Sequence, residues 1–328
     1  MSPDISDTIF RVKNQEDFKE EALKIFSFQA QKNIVYSEFI SKPGISKKVP
    51  VNITDIPFLP VGFFKSRKII SGSGQPEIIF ESSGTTGSRI SRHYITDTDI
   101  YKKSLSITFR IFYGDPSEYC IIALLPSYRE RKNSSLVYMM NELISLTGEP
   151  LSGFYSDDMP KLLRTIDIVR RSKRKILLMG VSYALLDLAE MYSPDLHDVI
   201  VMETGGMKGR RKEITRHELH SILRERMNVP SIHSEYGMTE LLSQSYSEGN
   251  GIFYCPPWMK ILIRDPYDPL SVTQEPEITG GINIIDLANI NSCSFLAIDD
   301  LGKLHKDGGF EVLGRLDNSD IRGCNLMM

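Results

Sequence analysis

From about residue 77 onward the chain repeats one pattern: a short apolar run, a loop of small or polar residues, then apolar residues at helical spacing. Ile78 to Phe80 precedes a helix predicted over about 97 to 112, and Cys120 to Leu125 precedes one over 134 to 146. Lys175 to Met179 leads to a helix over 183 to 191, Val199 to Met202 to one over 213 to 227, and Ile232 to Tyr236 is the next strand. Short apolar strands alternating with helices are buried on both faces, so the pattern predicts an α/β fold, a mostly parallel sheet flanked by helices. Before it, residues 15 to 32 place Phe18, Ala22, Ile25, Phe26 and Gln29-Ala30 at helical spacing, and Pro43, Pro50, Pro57 and Pro60 punctuate an extended wrap. After Gly249, alternating runs such as Lys260 to Arg264 and Gly281 to Ile285 replace the helices and predict a small antiparallel β subdomain. The expected divisions are 1–75 for the helix and wrap, 76–248 for the α/β core, 249–312 for the β-rich part and 313–328 for a C-terminal tail.

With 328 residues, 41% hydrophobic and 25% charged, the chain is long enough for a large core and for more than one subdomain. A net charge of −3 opposes a nucleic-acid footprint, which needs a basic excess on one face. No apolar run reaches the roughly 18 residues of a membrane helix, and Met1-Ser2-Pro3-Asp4 does not open a signal peptide. Cys120, Cys255, Cys293 and Cys324 include no C-x-x-C pair and point to a reducing compartment, with the cytoplasm as the expected location.

The stretch that most constrains chemistry is Glu81 to Arg89, E-S-S-G-T-T-G-S-R, directly after the first apolar run. A strand that ends in small residues can wrap its amides around an anion while Ser and Thr hydroxyls add donors, so the loop reads as a phosphate grip. It is neither G-x-x-x-x-G-K-[ST] nor G-x-G-x-x-G, which removes the common nucleotide-loop and dinucleotide readings. The plainer alternative is a polar turn between two strands.

A second motif, Ser234-Glu235-Tyr236-Gly237-Met238-Thr239-Glu240, stands at a strand end, where open α/β sheets bind ligands. S-S-G-T-T-G followed about 150 residues later by Y-G-M-T-E resembles the adenylate-forming enzymes, the superfamily of acyl-CoA synthetases, luciferases and peptide-synthetase adenylation domains. Leu296 to Gly302 resembles its T-G-D-L-G segment, and Leu313 to Asp317 its G-R-x-D segment. The resemblance implies ATP and Mg²⁺. Ser82, Ser83, Gly84, Thr85, Thr86 and Gly87 would hold the β- and γ-phosphates, and Tyr236 with Gly237 and Met238 would meet the nucleotide, the ring stacking on adenine. Thr239 would touch the α-phosphate and Glu240 would hold Mg²⁺. Asp300, preferred to Asp299 because Leu-Gly follows it, would accept the ribose hydroxyls beside Arg315. Family members continue into a mobile domain with a catalytic lysine, whereas this sequence stops 11 residues after Asp317. That domain is expected to be absent, with Arg89, Arg92 and Lys306 as substitute cations.

The ending Arg322 to Met328 places Cys324 in a glycine-containing tail that reaches up to ~30 Å from Arg315 if extended. Short length and a cysteine near the end resemble the LuxE-type acyl-protein synthetases of bacterial luminescence fatty-acid reductase complexes, which carry the acyl group as a thioester. Ile56 to Pro60 with Phe63-Phe64-Lys65, and Glu203 to Gly209, resemble the same family, which places Gly205 and Gly206 among the nucleotide-binding residues. A buried hydrophobe is the alternative for Cys324, as Cys120 is read.

Other constellations are weaker. His217-Glu218-Leu219-His220 has one residue too few for H-E-x-x-H. Gly180-Val181-Ser182-Tyr183-Ala184 lacks the last glycine of a nucleophile elbow, which would need His233 or His305 as base. The expectation is that Ser182 caps the following helix and that Gly180, Val181 and Ser182 help line the acid pocket. Lys208 to Lys212 reads as a solvated helix entry. The resemblance implies a ligase that converts a carboxylic acid, expected to be a long-chain fatty acid, to acyl-AMP and passes the acyl group to Cys324 or a partner thiol, with an acyl reductase as partner. The alternatives are an aryl- or acyl-CoA ligase relative without its last domain, and a nucleotide-binding scaffold without turnover.

Overall fold

The computed structural model describes residues 8–45, 49–83, 89–125, 132–156, 158–207, 211–212 and 214–316. Helix α1 (Gln15–Lys32) starts where the Asn14 side chain accepts the amides of Glu16 and Asp17, and it buries Phe18, Ala22, Ile25, Phe26 and Gln29 along one face. After α2 (Ile34–Ile40), the proline-punctuated wrap contributes β1 (Leu59–Pro60) and the 3₁₀ turn Val61–Lys65. Strands β2 (Ile78–Glu81) and β3 (Arg92–Ile95) pair antiparallel as a separate two-stranded hairpin. The first predicted strand-loop-helix unit is therefore not part of the parallel sheet. In Arg92-His93-Tyr94-Ile95 only His93 and Ile95 are buried, a period of two that lets β3 pair with the apolar run just before it.

The parallel sheet follows. Helix α3 (Thr98–Tyr113) leads to β4 (Tyr119–Leu124), α4 (Ser135–Thr147), β5 (Gly153–Phe154), α5 (Met159–Arg170), β6 (Lys175–Val181), α6 (Ser182–Tyr192), β7 (Val199–Thr204), α7 (Arg216–Met227), β8 (Ile232–Tyr236) and β9 (Ser245–Ser247). The strand order is β5-β4-β6-β7-β8-β9, parallel except for β9. Alternate residues of these strands serve two cores: Ile121, Ala123, Leu177, Met179 and Met202 pack toward α3 and α4. Cys120, Ile122, Leu124, Leu178 and Val201 pack against α5, α6 and α7. Helices thus cover both faces, as the apolar strands predicted. Helix α5 was not anticipated, although Asp158 accepting the Lys161 amide and Pro160 in the first turn are start signals present in the sequence.

The β-rich part is a second sheet, in the order β10 (Ile252–Phe253), β15 (Phe310–Arg315), β14 (Phe295–Leu304), β13 (Thr279–Asp286), β11 (Met259–Arg264) and β12 (Val272–Thr273). β1 joins it, parallel to β14, with Leu59 opposite Leu296 and Pro60 opposite Ala297. The antiparallel prediction holds for the rest.

A buried carboxylate links the two sheets. Asp286, at the end of β13, accepts the backbone amides of Leu242 and Ser243 at 2.9 and 3.0 Å, the Ser243 hydroxyl at 2.6 Å and the Ala288 amide at 3.1 Å. The loop it grips is the continuation of Y-G-M-T-E. Removing the acceptor strands these buried donors, so Asp286→Ala is expected to lower the unfolding free energy by about 3–5 kcal/mol in urea titration. A loss below about 1 kcal/mol would show that the grip is dispensable.

Candidate functional site

The two sequence motifs face one cavity. A cleft of about 980 Å³ is walled by Ser82 and Ser83 at the end of the first hairpin strand, by Gly237, Met238, Thr239 and Glu240, and by Asp299 and Arg315 from the second sheet. Thr204, Gly205 and Glu235, at the carboxyl ends of β7 and β8, also line it, as the sheet-edge rule predicts.

The hairpin side is fixed by its own hydrogen bonds. The Ser91 amide donates to Ser82 Oγ at 2.9 Å and the Ser82 amide to the Ser91 carbonyl at 3.1 Å, closing the base of the loop. Glu81 accepts from Asn133 at 3.1 Å and from Arg92 at 3.0 Å, and these bonds hold its carboxyl below the ordinary range. Arg92 is thereby engaged, and of the three cations named from sequence only Arg89 lines the cleft. Lys65 and Lys132, not singled out from sequence as cations, line it too.

The opposite wall is held from beneath at successive backbone groups. His93 Nδ1 donates to the Thr239 carbonyl at 2.9 Å, and Asn289 Nδ2 donates to the Glu240 carbonyl at 2.8 Å. His93 is fully buried, and burial lowers its pKa to about 4, so it is neutral at physiological pH. A Cβ at Gly237 would meet the Glu235 carboxylate, which accepts from Thr204 Oγ1, so a larger residue there would have to push that carboxylate aside. Glu240 is 5% exposed; burial pushes its carboxyl up and a hydrogen bond with Ser91 pulls it partly back.

Chains of known structure share this architecture. ATP-bound MatB from Rhodopseudomonas palustris superimposes with a TM-score of 0.56 at 15% identity, over 74% of this chain and 49% of that one. The luciferase-like enzyme of the nonluminescent Zophobas morio mealworm gives 0.54 at 18% identity over 79% and 62%. An open conformation of 2-hydroxyisobutyryl-CoA ligase, in complex with 2-HIB-AMP and CoA, gives 0.67 at 10% identity over 94% and 77%. The chain shares its fold with these enzymes. The chain spans about half the length of MatB. No protein-family model matches the sequence, and no curated protein matches it.

Several expected site residues lie elsewhere or in altered roles. Asp299 lines the cleft, whereas Asp300 turns away to accept the Tyr236 hydroxyl at 2.8 Å. Burial raises the Asp300 carboxyl, against the pull of Tyr236 and of Arg315 at 3.4 Å. The Tyr236 ring packs against Phe253 and Phe310, with centroids 5.7 and 5.5 Å away, and is not among the residues lining the cleft. Gly180, Val181 and Ser182 do not line it either. A Cβ at Gly180 would meet Leu185, so that glycine lets α6 sit on its strand. Ser182 does not cap α6; Val181 holds the N-cap position, and the Ser182 hydroxyl lies 2.8 Å from the Gly205 carbonyl and 3.2 Å from Glu203. Ser182 is thus hydrogen-bonded to neither histidine named as a possible base, since His233 meets the Tyr113 hydroxyl and His305 meets Glu311. Gly206 is exposed beside Gly205 and is not among the lining residues. Gly84, Thr85, Thr86, Gly87 and Cys324 lie outside the described residues. Among the described residues no helix is long and apolar enough to cross a membrane.

The chemistry of the wall fits both expected groups. Glu240 is a shielded carboxylate whose charge burial disfavours, and a bound Mg²⁺ would reverse that imbalance. Ser82 and Ser83 with Arg89 and Lys132 offer donors and positive charge for phosphates.

The buried imidazole gives this site a pH dependence. His93 is depressed to about 4 when folded and titrates near 6.5 when unfolded. Below pH ~6.5 the unfolded chain binds a proton that the folded one refuses, so stability falls as pH falls and levels off below pH ~4. Asp286, raised by burial to about 6, acts in the opposite sense and masks part of the slope. His93→Gln should therefore remove an acid-side loss that reaches about 3 kcal/mol near pH 4. Urea unfolding of both proteins from pH 7 to 4 checks this, and parallel curves would contradict it.

Proposed function

We propose that this chain activates a carboxylic acid with ATP, forming an acyl-adenylate and pyrophosphate, and then hands the acyl group to a thiol. One observation carries the reading: Ser82 and Ser83 share a single cleft with Thr239, Glu240, Asp299 and Arg315 although they are about 150 to 230 residues apart in sequence. A cleft built this way suits a displacement at phosphorus, which needs positioning and charge neutralisation more than covalent help from the protein.

In this reading the hydroxyls and amides of the 82–87 loop take the outer phosphates. Thr239 faces the reacting one, and Asp299 with Arg315 meets the ribose end. Glu240 holds Mg²⁺, which when bound supplies positive charge to the phosphate oxygens. Val61, Leu136, Met139 and Met238 give the same cleft an apolar side for the body of the acid. A long-chain fatty acid as substrate, Cys324 as acceptor and an acyl reductase as downstream partner are proposed on the likeness of sequence motifs to the acyl-protein synthetases.

The test is direct. Incubation with labelled fatty acid and MgATP should release pyrophosphate and leave label on the protein that hydroxylamine removes and that Cys324→Ser abolishes. Label that moves to coenzyme A instead would identify a CoA ligase, and nucleotide binding without turnover of any acid would leave only a scaffold. Glu240→Gln should lower pyrophosphate release on the order of 100-fold while the fold is retained.

A further inference from the structure

The cations that face the cleft differ in how they are engaged. Arg315 is occupied, 3.4 Å from Asp300 and 3.6 Å from Asp299. Lys65 lines the cleft with no ion pair and no side-chain hydrogen bond among the described residues.

Its backbone is nevertheless well anchored. Lys65 ends the turn Val61–Lys65, in which Val61 and Phe64 are buried. The Phe64 ring stands edge-on to His93, 5.4 Å between centroids, and His93 is the residue that holds the Thr239 carbonyl. The strand just before the turn is paired to β14 at Leu296 and Ala297, two residues before Asp299. The contacts that fix Thr239 and Glu240 therefore also fix the position from which Lys65 reaches into the cleft. Its charge is felt at Glu240, where it favours the ionised carboxylate. Arg89 and Lys132 line the same cleft, as do Ser82 and Ser83.

We propose that Lys65 is a catalytic residue, the cation that neutralises charge building on the α-phosphate during acid activation. This rests on the ligase reading. In that step a carboxylate oxygen of the acid bonds to the α-phosphorus, the bond from that phosphorus to the oxygen bridging the β-phosphate breaks, and pyrophosphate leaves with the electron pair. No proton is exchanged with the protein, so an ammonium acting as a compact point charge is sufficient.

The test compares Lys65→Met and Lys65→Arg with the wild-type chain in acid-dependent ATP–pyrophosphate exchange, with ATP binding by calorimetry and thermal unfolding as controls. Lys65→Met should lose about 100-fold in kcat with the KM for ATP changed less than about fivefold, and Lys65→Arg should recover at least about tenfold. ATP affinity and melting temperature should stay close to wild type, because the side chain is exposed and makes no internal bond among the described residues. A Lys65→Met kcat within about threefold of wild type overturns the proposal, as does a loss confined to KM. Absence of exchange in the wild-type chain with every acid tried would instead overturn the ligase reading, and this proposal with it.

Discussion

The grip of Asp286 on the backbone at Leu242 and Ser243 is the interaction on which the site depends. It joins the last residue of β13, in the antiparallel sheet, to the loop that leaves β8, in the parallel one. Apolar burial brings the two sheets together but is non-directional and tolerates small slips. The cleft does not, because Thr239 and Glu240 share its lining with Asp299 and Arg315, which come from the other sheet. A carboxylate with four donors around it fixes one register, and the bond from Trp258 Nε1 to the Ser243 hydroxyl at 2.9 Å locks the same hydroxyl from a second direction.

The grip belongs to a longer buried frame that begins at the N-terminus. Gln29 of α1 donates to the Asn289 and Ile290 carbonyls at 3.1 and 2.9 Å, and its side-chain oxygen accepts the Ser294 amide at 3.0 Å. Asn289 then holds the Glu240 carbonyl. A helix that makes no contact with the cleft thus sets the height of one of its walls, through two amide side chains. Each link is a buried polar group whose loss leaves a partner unsatisfied, so the frame is stable only when complete.

What could be read from sequence follows from which interactions are local. The alternation of strands and helices is a local pattern, and so are Y-G-M-T-E at a strand end and the hydroxyl loop after Ile78 to Phe80; these placed the fold and both halves of the cleft. His93, Asp286 and Lys65 were missed because each acts on backbone or charge far away in the chain, and nothing in the flanking residues marks a histidine or aspartate as buried. Asp300 was preferred to Asp299 by motif register, but strand alternation turns neighbours to opposite sides, and the tyrosine takes Asp300. Ser182 looked like a cap because serine at a strand-to-helix junction commonly is one; the carbonyl of Gly205 across the sheet edge offered a stronger partner.

The shielded carboxylates of this region separate according to their neighbours. Burial raises the Glu203 carboxyl, but His220, Arg216 and Ser234 outweigh it and the net shift is downward, so that charge is structurally settled. Arg216 also reaches the Val312 carbonyl at 3.2 Å and stacks on Phe253, which ties α7 to the strand carrying Arg315. Asp286 is surrounded by donors on both oxygens. Glu240 is offset by the Ser91 hydroxyl, its own backbone amide and the field of Lys65, which do not overcome burial. A carboxylate left undercompensated at the wall of a cleft binds a cation more strongly than one already paired, since the incoming charge meets less competition. Of Glu203, Asp286 and Glu240, Glu240 is the one that lines the cleft, where an incoming cation can reach it.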